Sequence, residues 1–363
     1  MTAALVVGAG PAGASAAMAL LRQGLDVTVL ERRLRVGPRV CGAFLGAEAL
    51  RHLEILGLAD RARTQGVAVT ASWVSVGSGQ ERRVDFPKPG LALPRPTLER
   101  VLLDEVEARG GKVRWGVSAK PVGPTTLSVQ GPGLTPSDPA VFSADYVVWA
   151  DGRFSGQESV DLSNGGPVWS GWNAPFSGVH QRPGEMSLYF LPDGYVGLMT
   201  FKDGTSNLCG LKRRRGNPLQ WGAVFEEAKN QSPWLRGRME QATLLTSWHG
   251  VGPLPFSGGL RPDDGVIRVG DAAAVGDPFM GEGIGRALGA GPLLSDALRR
   301  NPGRAERLNR DTRDLLRETY ERRFLLGNSL RWLLNHPRIS PCALRWVLAH
   351  HSTARFLLPL FHG

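Results

Sequence analysis

The apolar residues of the chain are arranged in two different patterns: continuous runs, and alternation with polar residues. Short apolar runs at 5–7 and 26–30 predict buried strands, and the alanine-rich stretch 12–23 between them predicts a helix that stops at Gly24. Strand, helix and strand in this order are typical of a βαβ unit in a parallel sheet. The opening of the chain therefore predicts an α/β domain.

The second pattern is the alternation of apolar and polar residues, which is typical of half-buried strands. Pro-Asp-Gly at 192–194 and Lys-Asp-Gly at 202–204 are turn sequences that separate three of these runs. Because neighbouring runs are joined by tight turns, they predict an antiparallel sheet inserted twice into the α/β domain. The runs lie at 67–70, 84–86, 186–191, 195–201, 205–211 and 243–248.

The turn after the first strand carries a Gly-x-Gly-x-x-Gly motif at 8–13. Gly8 permits a tight turn, Gly10 allows a pyrophosphate to approach the backbone, and Gly13 allows the helix to pack closely on the strand. The helix N-terminus then presents N–H groups to the phosphates. Glu31 follows 18 residues after Gly13 and is suited to accept hydrogen bonds from an adenosine ribose. The unit predicts a dinucleotide site.

The chain has 363 residues, with 43 Lys and Arg against 33 Asp and Glu and a net charge of +10. Such a charge suits nucleic acid, an anionic membrane surface or acidic ligands. The sequence shows neither a C₂H₂ spacing nor an RNP motif nor a basic zipper, so we expect no nucleic-acid partner. An arginine-rich solvated surface accounts for the charge equally well.

The three cysteines, Cys41, Cys209 and Cys342, are far apart in the sequence. This spacing predicts neither a disulfide scaffold nor a metal site and favours a reducing compartment. Residues 1–21 carry no charged side chain, but the glycine motif and the absence of a basic n-region argue against a signal peptide. We therefore expect a cytoplasmic protein, in peripheral contact with the inner membrane surface if the tail described below binds lipid.

Two further segments carry a resemblance. Residues 145–155 run from a strand into Ala-Asp-Gly-Arg, and residues 266–291 contain Gly-Asp followed by Asp-Pro-x-x-Gly-Glu-Gly. With the glycine motif, they resemble the three fingerprints of the p-hydroxybenzoate-hydroxylase-like FAD-dependent oxidoreductases, a superfamily that includes flavin monooxygenases and geranylgeranyl reductases. The resemblance extends over about residues 1–300 and implies non-covalent FAD, with NAD(P)H as reductant.

The resemblance also implies roles for individual residues. Asp271 would bind the ribityl chain, Pro278 would pack beside the isoalloxazine, and the N–H groups around Glu282 would lie at its N1–C2=O edge. Asp151 would support FAD and the nicotinamide, and Arg95, expected just before a helix at 97–109, would lie near the pyrophosphate or flavin. The predicted cofactor residues are Gly8, Gly10, Pro11, Ala12, Gly13, Glu31, Arg32, Cys41, Gly42, Arg95, Asp151, Gly152, Gly270, Asp271, Pro278, Gly281, Glu282, Gly283 and Ile284.

The predicted fold is α/β: a Rossmann-type FAD-binding domain with an inserted antiparallel β-sheet substrate domain and a C-terminal helical tail. The discontinuous FAD-binding domain is predicted to comprise 1–66, 87–165 and 253–302. The substrate domain is predicted at 67–86 and 166–252, and the helical region at 303–363. The active site is expected at the interface between sheet and flavin.

Three readings of the reaction stay open. The segment 39–58, with its Cys-Gly pair, resembles both flavoprotein hydroxylases acting on polyketide-derived phenols and geranylgeranyl reductases. The Tyr-x-Trp-x-Phe-Pro signature of archaeal-type reductases is not evident, which favours NAD(P)H-dependent hydroxylation of a hydrophobic aromatic or polyketide-like molecule. The second reading is reduction of isoprenoid double bonds, and the third is a non-catalytic flavin-binding partner protein. In a reductase Cys41 is a candidate catalytic proton donor; otherwise it is a small buried apolar side chain.

The end of the chain combines arginine with aromatic residues. From residue 322 to 363 there are six arginines and no acid. A basic, aromatic segment at 324–363 is suited to lie on an anionic membrane or to cover an apolar channel. Helices packed on the core with arginines in solvent are the alternative.

Overall fold

The structure is a computed structural model that describes residues 3–153, 168–214, 219–254, 259–278, 281–300 and 305–334. The strands are β1 (Ala3–Val7), β2 (Asp26–Glu31), β3 (Phe44–Leu45), β4 (Val67–Val76), β5 (Arg82–Ala92), β6 (Lys112–Trp115), β7 (Ser118–Gly123), β8 (Thr126–Gln130), β9 (Val141–Ser143), β10 (Tyr146–Trp149), β11 (Val168–Ser177), β12 (Met186–Leu191), β13 (Gly194–Thr200), β14 (Ser206–Arg214), β15 (Thr243–Leu244), β16 (His249–Val251) and β17 (Ile267–Arg268). The helices are α1 (Pro11–Arg22), α2 (Ala47–Leu56), α3 (Ala59–Gln65), α4 (Arg95–Ala108), α5 (Trp221–Gln231), α6 (Pro233–Arg238), α7 (Gly283–Arg300) and α8 (Ala305–Leu334), with one 3₁₀ turn at Gly270–Ala272.

A parallel sheet of five strands forms the first layer, in the order β17-β10-β1-β2-β6. Its centre, β1, is buried between β10 and β2, which explains the uninterrupted apolar run at 5–7. Helix α1 begins at Pro11, whose missing N–H costs nothing in the first turn, and lies buried between the sheet and α7. The predicted Rossmann-type α/β fold is confirmed.

The second layer is a nine-stranded sheet, in which β15, β11, β14, β13, β12, β4, β5 and β3 follow one another and β16 also pairs with β11. Neighbours are antiparallel except β12 and β4, which are parallel because they come from two separate insertions. Strand β5 continues to Ala92, beyond the end of the run predicted at 84–86, because its last residues pair with both β4 and β3. A Cβ atom at Gly90 would lie 2.4 Å from the Phe44 ring.

The single strand predicted at 243–248 is wrong in detail. Residues Thr243–Leu244 and His249–Val251 form two short strands; the first pairs with the end of β11 and the second with its middle. Leu244 lies opposite Phe176, whereas His249 lies opposite Asn173. The alternating pattern thus indicated a strand but did not show that residues 245–248 interrupt it.

The C-terminal part of the described chain is a long helix. Helix α8 continues to Leu334, beyond the charged helix predicted at 303–323. Its Leu316, Tyr320 and Phe324 pack on Ala273 and Ala274, which follow the 3₁₀ turn. Of the helices in the described part of the chain, none carries an apolar run able to span a lipid bilayer. Residues 335–363, most of the predicted membrane-binding tail, lie outside the described residues, as does Cys342.

Candidate active site

A cavity of about 1300 Å³ lies between the two sheets. It is larger than most small-molecule pockets, which measure about 300–1,000 Å³. One end is lined by the glycine loop and by the carboxyl ends of β2 and β10, and the other end by β12, β13 and β14 of the large sheet. The space suits a dinucleotide with a second molecule beside it.

The glycine loop has the geometry that the motif predicts. Gly8 has a φ of +105°, and a Cβ atom there would lie 2.5 Å from the Ala150 carbonyl oxygen. A Cβ atom at Gly13 would lie 1.8 Å from the Gly8 carbonyl oxygen, so this glycine permits close packing of helix on strand. A Cβ atom at Gly10 would meet, apart from its chain neighbours, only Arg95 Nη2 within 4 Å, at 3.9 Å, so the backbone is open to the cavity. Pro11 and Ala12 line the cavity at the start of α1.

Glu31 is buried at the end of β2 and organises the same loop. One carboxylate oxygen accepts a hydrogen bond from the Ala9 N–H at 2.9 Å, and the other accepts from the Arg33 N–H at 3.0 Å. The oxygen bonded to the Arg33 N–H also accepts from Arg33 Nε at 3.3 Å, whereas the oxygen bonded to Ala9 retains a second lone pair that can accept from a ribose hydroxyl. The neighbouring Arg32 is exposed and borders the cavity.

Arg95 is the first residue of α4, because Pro94 supplies the extended residue before the helix; it does not precede the helix as the sequence suggested. Its Nε donates to the Glu99 carboxylate at 3.1 Å, one turn further along. Glu99 is only 1% exposed and also faces Arg33 and Arg39, at 3.5 and 3.6 Å. Burial raises the pKa of Glu99, and the charges of Arg95 and Arg33 oppose the shift.

The other two fingerprints reach the same cavity. Asp151 and Gly152 line it at the end of β10, and Gly152 has a φ of +90°. Asp271 lies in the 3₁₀ turn after β17, where its Oδ1 is 3.4 Å from Arg286 Nη2 and its Oδ2 is 4.0 Å from Arg153 Nε. Pro278, Gly281, Glu282, Gly283 and Ile284 complete this wall before and at the start of α7.

Gly13 and Gly270 are the two predicted cofactor residues that do not line the cavity. Gly270 has a φ of +60°, and a Cβ atom there would lie 2.6 Å from the Ala12 Cβ. Its role in the structure is therefore the close approach of the 3₁₀ turn to α1. The fold brings the remaining predicted residues together around one space.

Cys41 and Gly42 lie in a loop whose backbone is hydrogen-bonded to two asparagine side chains of the large sheet. Asn207 Nδ2 donates to the Cys41 carbonyl oxygen at 2.9 Å, and Asn173 Nδ2 donates to the Arg39 carbonyl oxygen at 3.0 Å. The Cys209 Sγ lies 3.5 Å from a Cβ atom built at Gly42. Burial raises the pKa of Cys209 to about 12, so its thiol stays protonated at neutral pH.

Sequence reasoning missed Glu99, Asn173, Asn207 and Cys209. The Arg-x-x-x-Glu spacing at 95–99 was a usable signal, because residues four apart on a helix face each other. The two asparagines gave no signal, since their pairing depends on the register of β11 and β14.

The sheet side of the cavity is mainly apolar. Rows of side chains from β12, β13, β14 and β16 face the space, and the Tyr195 phenol is the largest polar group among them. Burial raises the pKa of this phenol well above its usual value. The apolar wall consists of Met186, Leu188, Phe190, Met199, Leu211 and Val251.

The donor set fits FAD. The open backbone at Gly10, the Arg95 guanidinium and the buried Glu31 carboxylate are suited to the adenosine diphosphate half, and Asp271 to the ribityl hydroxyls. Gly281 and Gly283 line the cavity and have no side chain, so their main-chain groups are accessible to the cofactor.

Comparisons with known proteins agree with this site. Residues 1–168 match the FAD binding domain family. The chain is 27% identical to the menaquinone reductase of Mycobacterium tuberculosis, over 93% of this chain and 85% of that protein. It is 25% identical to digeranylgeranylglycerophospholipid reductase 2 of Methanopyrus kandleri, over 80% of this chain and 75% of that protein.

Among solved structures, a geranylgeranyl bacteriochlorophyll reductase-like protein from Thermoplasma acidophilum has the same fold. The TM-score is 0.74 at 20% identity, over 97% of this chain and 91% of that chain. The family match covers the glycine loop, Arg95 and Asp151, and the relatives extend the likeness through Asp271 to the C-terminal helices. Residues 1–168 are therefore an FAD binding domain, and the chain is an FAD-dependent oxidoreductase similar in sequence to menaquinone and digeranylgeranylglycerophospholipid reductases.

Proposed function

We propose that the enzyme reduces carbon–carbon double bonds in an isoprenoid lipid. The observation that carries the proposal is the similarity, over 93% and 80% of this chain, to two reductases whose named substrates, menaquinone and digeranylgeranylglycerophospholipid, both carry unsaturated isoprenoid chains. The apolar wall of the large sheet supports it, because that wall suits a hydrocarbon chain. The sequence alone favoured hydroxylation; we place reduction first because these relatives are reductases.

FAD would supply hydride transfer to the substrate. The residues of the chain then have three tasks. The glycine loop, Arg95 and Asp271 hold the cofactor; the apolar wall excludes water from the reacting carbons; and a proton donor completes the addition of hydrogen. Cys41 is the candidate donor, since its loop borders the cavity between the glycine loop and the sheet. NAD(P)H as the source of electrons is part of the proposal.

The product of a single reaction tests the proposal. The FAD-loaded protein is incubated without oxygen with a reductant and either menaquinone or a geranylgeranyl lipid, and the product is analysed by mass spectrometry. The product is exposed to air before mass spectrometry so that any quinol returns to the quinone, and each reduced carbon–carbon double bond then remains as a gain of two hydrogens. A parallel incubation in air is the comparison. A product that forms only in air and gains one oxygen atom contradicts reduction and supports hydroxylation of this or a related hydrophobic molecule. Dithionite and NAD(P)H are compared as reductants.

A further inference from the structure

Glu282 is a buried acid at the cofactor end of the cavity. It follows Gly281, which has a φ of +66°, and directly precedes α7. Its side chain is 8% exposed, and one carboxylate oxygen lies 3.5 Å from Arg323 Nη1 of α8. The backbone beside it is open, because a Cβ atom at Gly283 would meet no protein atom within 4 Å. The carboxylate thus borders the cavity and has one basic partner at ion-pair distance among the described residues.

That basic partner is shared with a second acid. Arg323 Nη1 also donates to Glu48 Oε2, at 2.7 Å, and Glu48 is 6% exposed. With both carboxylates ionised, the three groups carry one uncompensated negative charge in a buried place, which is costly. The cluster therefore favours binding one proton.

The remaining neighbours decide which acid binds it. His52 Nε2 lies 3.7 Å from Glu48 Oε1, and the Tyr320 phenol faces the same acids from α8. Arg286, on α7, lies 3.4 Å from Asp271 and thus already has an acidic partner. Burial raises the pKa of Glu48, but the nearby His52 and the hydrogen bond from Arg323 outweigh it and leave this pKa below its usual value. The proton therefore resides on Glu282.

The protonation of Glu282 is within physiological reach. Burial raises its pKa to about 7; the charges of Arg323 and Arg286 oppose the shift, and Glu48 adds to it. An extra negative charge in the cavity would raise this pKa further, because like charges a few ångströms apart in a poorly screened site disfavour ionisation. Glu282 lines the same cavity as Asp271. Negative charge added to a cofactor bound there would therefore lie close to the Glu282 carboxylate.

We propose that the Glu282 carboxylate takes up a proton when the bound cofactor is reduced, and so neutralises negative charge inside the site. In balance, a reductant gives up two electrons, FAD accepts them with one proton, and Glu282 accepts a second proton from solvent to become the neutral acid. On reoxidation Glu282 releases that proton. The proposal holds for either reaction of the enzyme, because it concerns the reduction of the cofactor and not the substrate.

Proton uptake on reduction tests the proposal directly. The FAD-loaded protein is photoreduced anaerobically in weak buffer at about pH 8, where most Glu282 is ionised beforehand, and a pH-indicator dye reports the protons bound. We expect the wild type to bind more than one proton per FAD, approaching about two, and Glu282→Gln to bind about one. Equal uptake by the two proteins at equal flavin content overturns the proposal.

Glu48→Gln is the matched control. It removes the other acid that shares Arg323 but does not border the cavity. Because Glu48 raises the pKa of Glu282, we expect Glu48→Gln to keep proton uptake on reduction but to shift it to lower pH, whereas Glu282→Gln loses the extra proton at every pH. If Glu48→Gln loses the extra proton and Glu282→Gln retains it, the proton binds to Glu48, and the proposal is overturned.

An infrared measurement on the wild type makes the test independent of any variant. The reduced-minus-oxidised difference spectrum should show the carbonyl stretch of a protonated carboxylic acid, which shifts when the protein is labelled with ¹³C-glutamate. Reduction without such a band contradicts protonation of Glu282, even if Glu282→Gln fails to bind FAD.

Discussion

The Arg95 guanidinium is held by the Glu99 carboxylate at 3.1 Å, with Arg33 and Arg39 on the other sides of the same acid. Because Glu99 is buried, Glu99→Gln leaves Arg95 and Arg39 without this countercharge, while Arg33 keeps its contact with Glu31. We expect a loss of about 1–3 kcal/mol in the free energy of unfolding, discounted for the partial exposure of the arginines, and weaker FAD binding. Chemical denaturation and FAD titration measure the two effects.

Glu105→Gln is the control on the same helix. Glu105 pairs with Arg61 and Arg109 near the surface, and its side chain is 22% exposed. Its loss should cost less than about 1 kcal/mol and leave FAD affinity unchanged. Equal effects of the two substitutions would contradict a special role for Glu99.

Asp271→Asn should weaken FAD binding by about ten- to a hundredfold. The substitution removes a charge-assisted hydrogen bond to the ribityl chain, worth about 1.5–3 kcal/mol. Fluorescence titration of the apoprotein with FAD gives the dissociation constant. Asp296→Asn, an acid on the exposed side of α7, is the control and should bind FAD like the wild type. Unchanged affinity in Asp271→Asn would refute the predicted contact.

Cys41→Ser tests the candidate proton donor. If Cys41 supplies the proton, its loss should slow double-bond reduction by about 10²-fold or more, while reduction of FAD by the electron donor stays within a few-fold. Anaerobic stopped-flow absorbance separates the two steps. Cys209→Ser is the matched control, because that thiol has a raised pKa and should leave both steps unchanged. A Cys41→Ser protein with unchanged turnover would restrict Cys41 to lining the cavity.

The raised pKa of Glu282 predicts a pH dependence of stability. In the folded state this acid has a pKa of about 7, whereas in the unfolded chain it ionises near its ordinary pKa of 4.5. Stability is therefore lost as pH rises from about 4.5 to 7, by up to about 3 kcal/mol. Glu282→Gln should remove this loss, so that the apoprotein of the variant is more stable than wild type at pH 8 and similar to it near pH 4.5. Thermal unfolding across this range checks the sign.

Contact of residues 324–363 with lipid is a further prediction. If the arginines of this segment bind an anionic surface, the protein should sediment with anionic liposomes at low salt and dissociate as salt rises, because charge attraction is screened beyond about 8–10 Å at physiological ionic strength. Neutral liposomes are the control. Equal binding to both at every salt concentration would exclude the electrostatic contribution.

The sequence predicted those parts of the site that depend on local backbone geometry. Gly8 needs a positive φ, and Gly10 must leave room for a ligand; both requirements belong to one turn and are visible in the motif. The Asp271 turn is likewise local. These features are encoded by adjacent residues, so the pattern alone reveals them.

The parts that escaped prediction depend on residues far apart in the chain. Asn207 holds the Cys41 loop across 166 positions, and Arg323 reaches Glu48 across 275. Such pairs follow from how the large sheet and α8 dock on the first layer, which periodicity does not report. The buried Glu48 itself looks like an ordinary exposed helix acid in the sequence, because only tertiary contact distinguishes it.

The seam between α1 and α7 has a consequence for how the protein is made. Ser15 donates to the Leu288 carbonyl oxygen and accepts from the Gly291 N–H, and a Cβ atom at Gly291 would lie 2.3 Å from the Ser15 carbonyl oxygen. Helix α1 is synthesised first, but its apolar face is covered only when α7, near the end of the chain, has been synthesised. Strand β17 and Asp271 arrive equally late. A nascent chain ending after residue 168 contains the whole family match but lacks α7, β17 and Asp271, so we expect FAD to bind only after these elements have been synthesised.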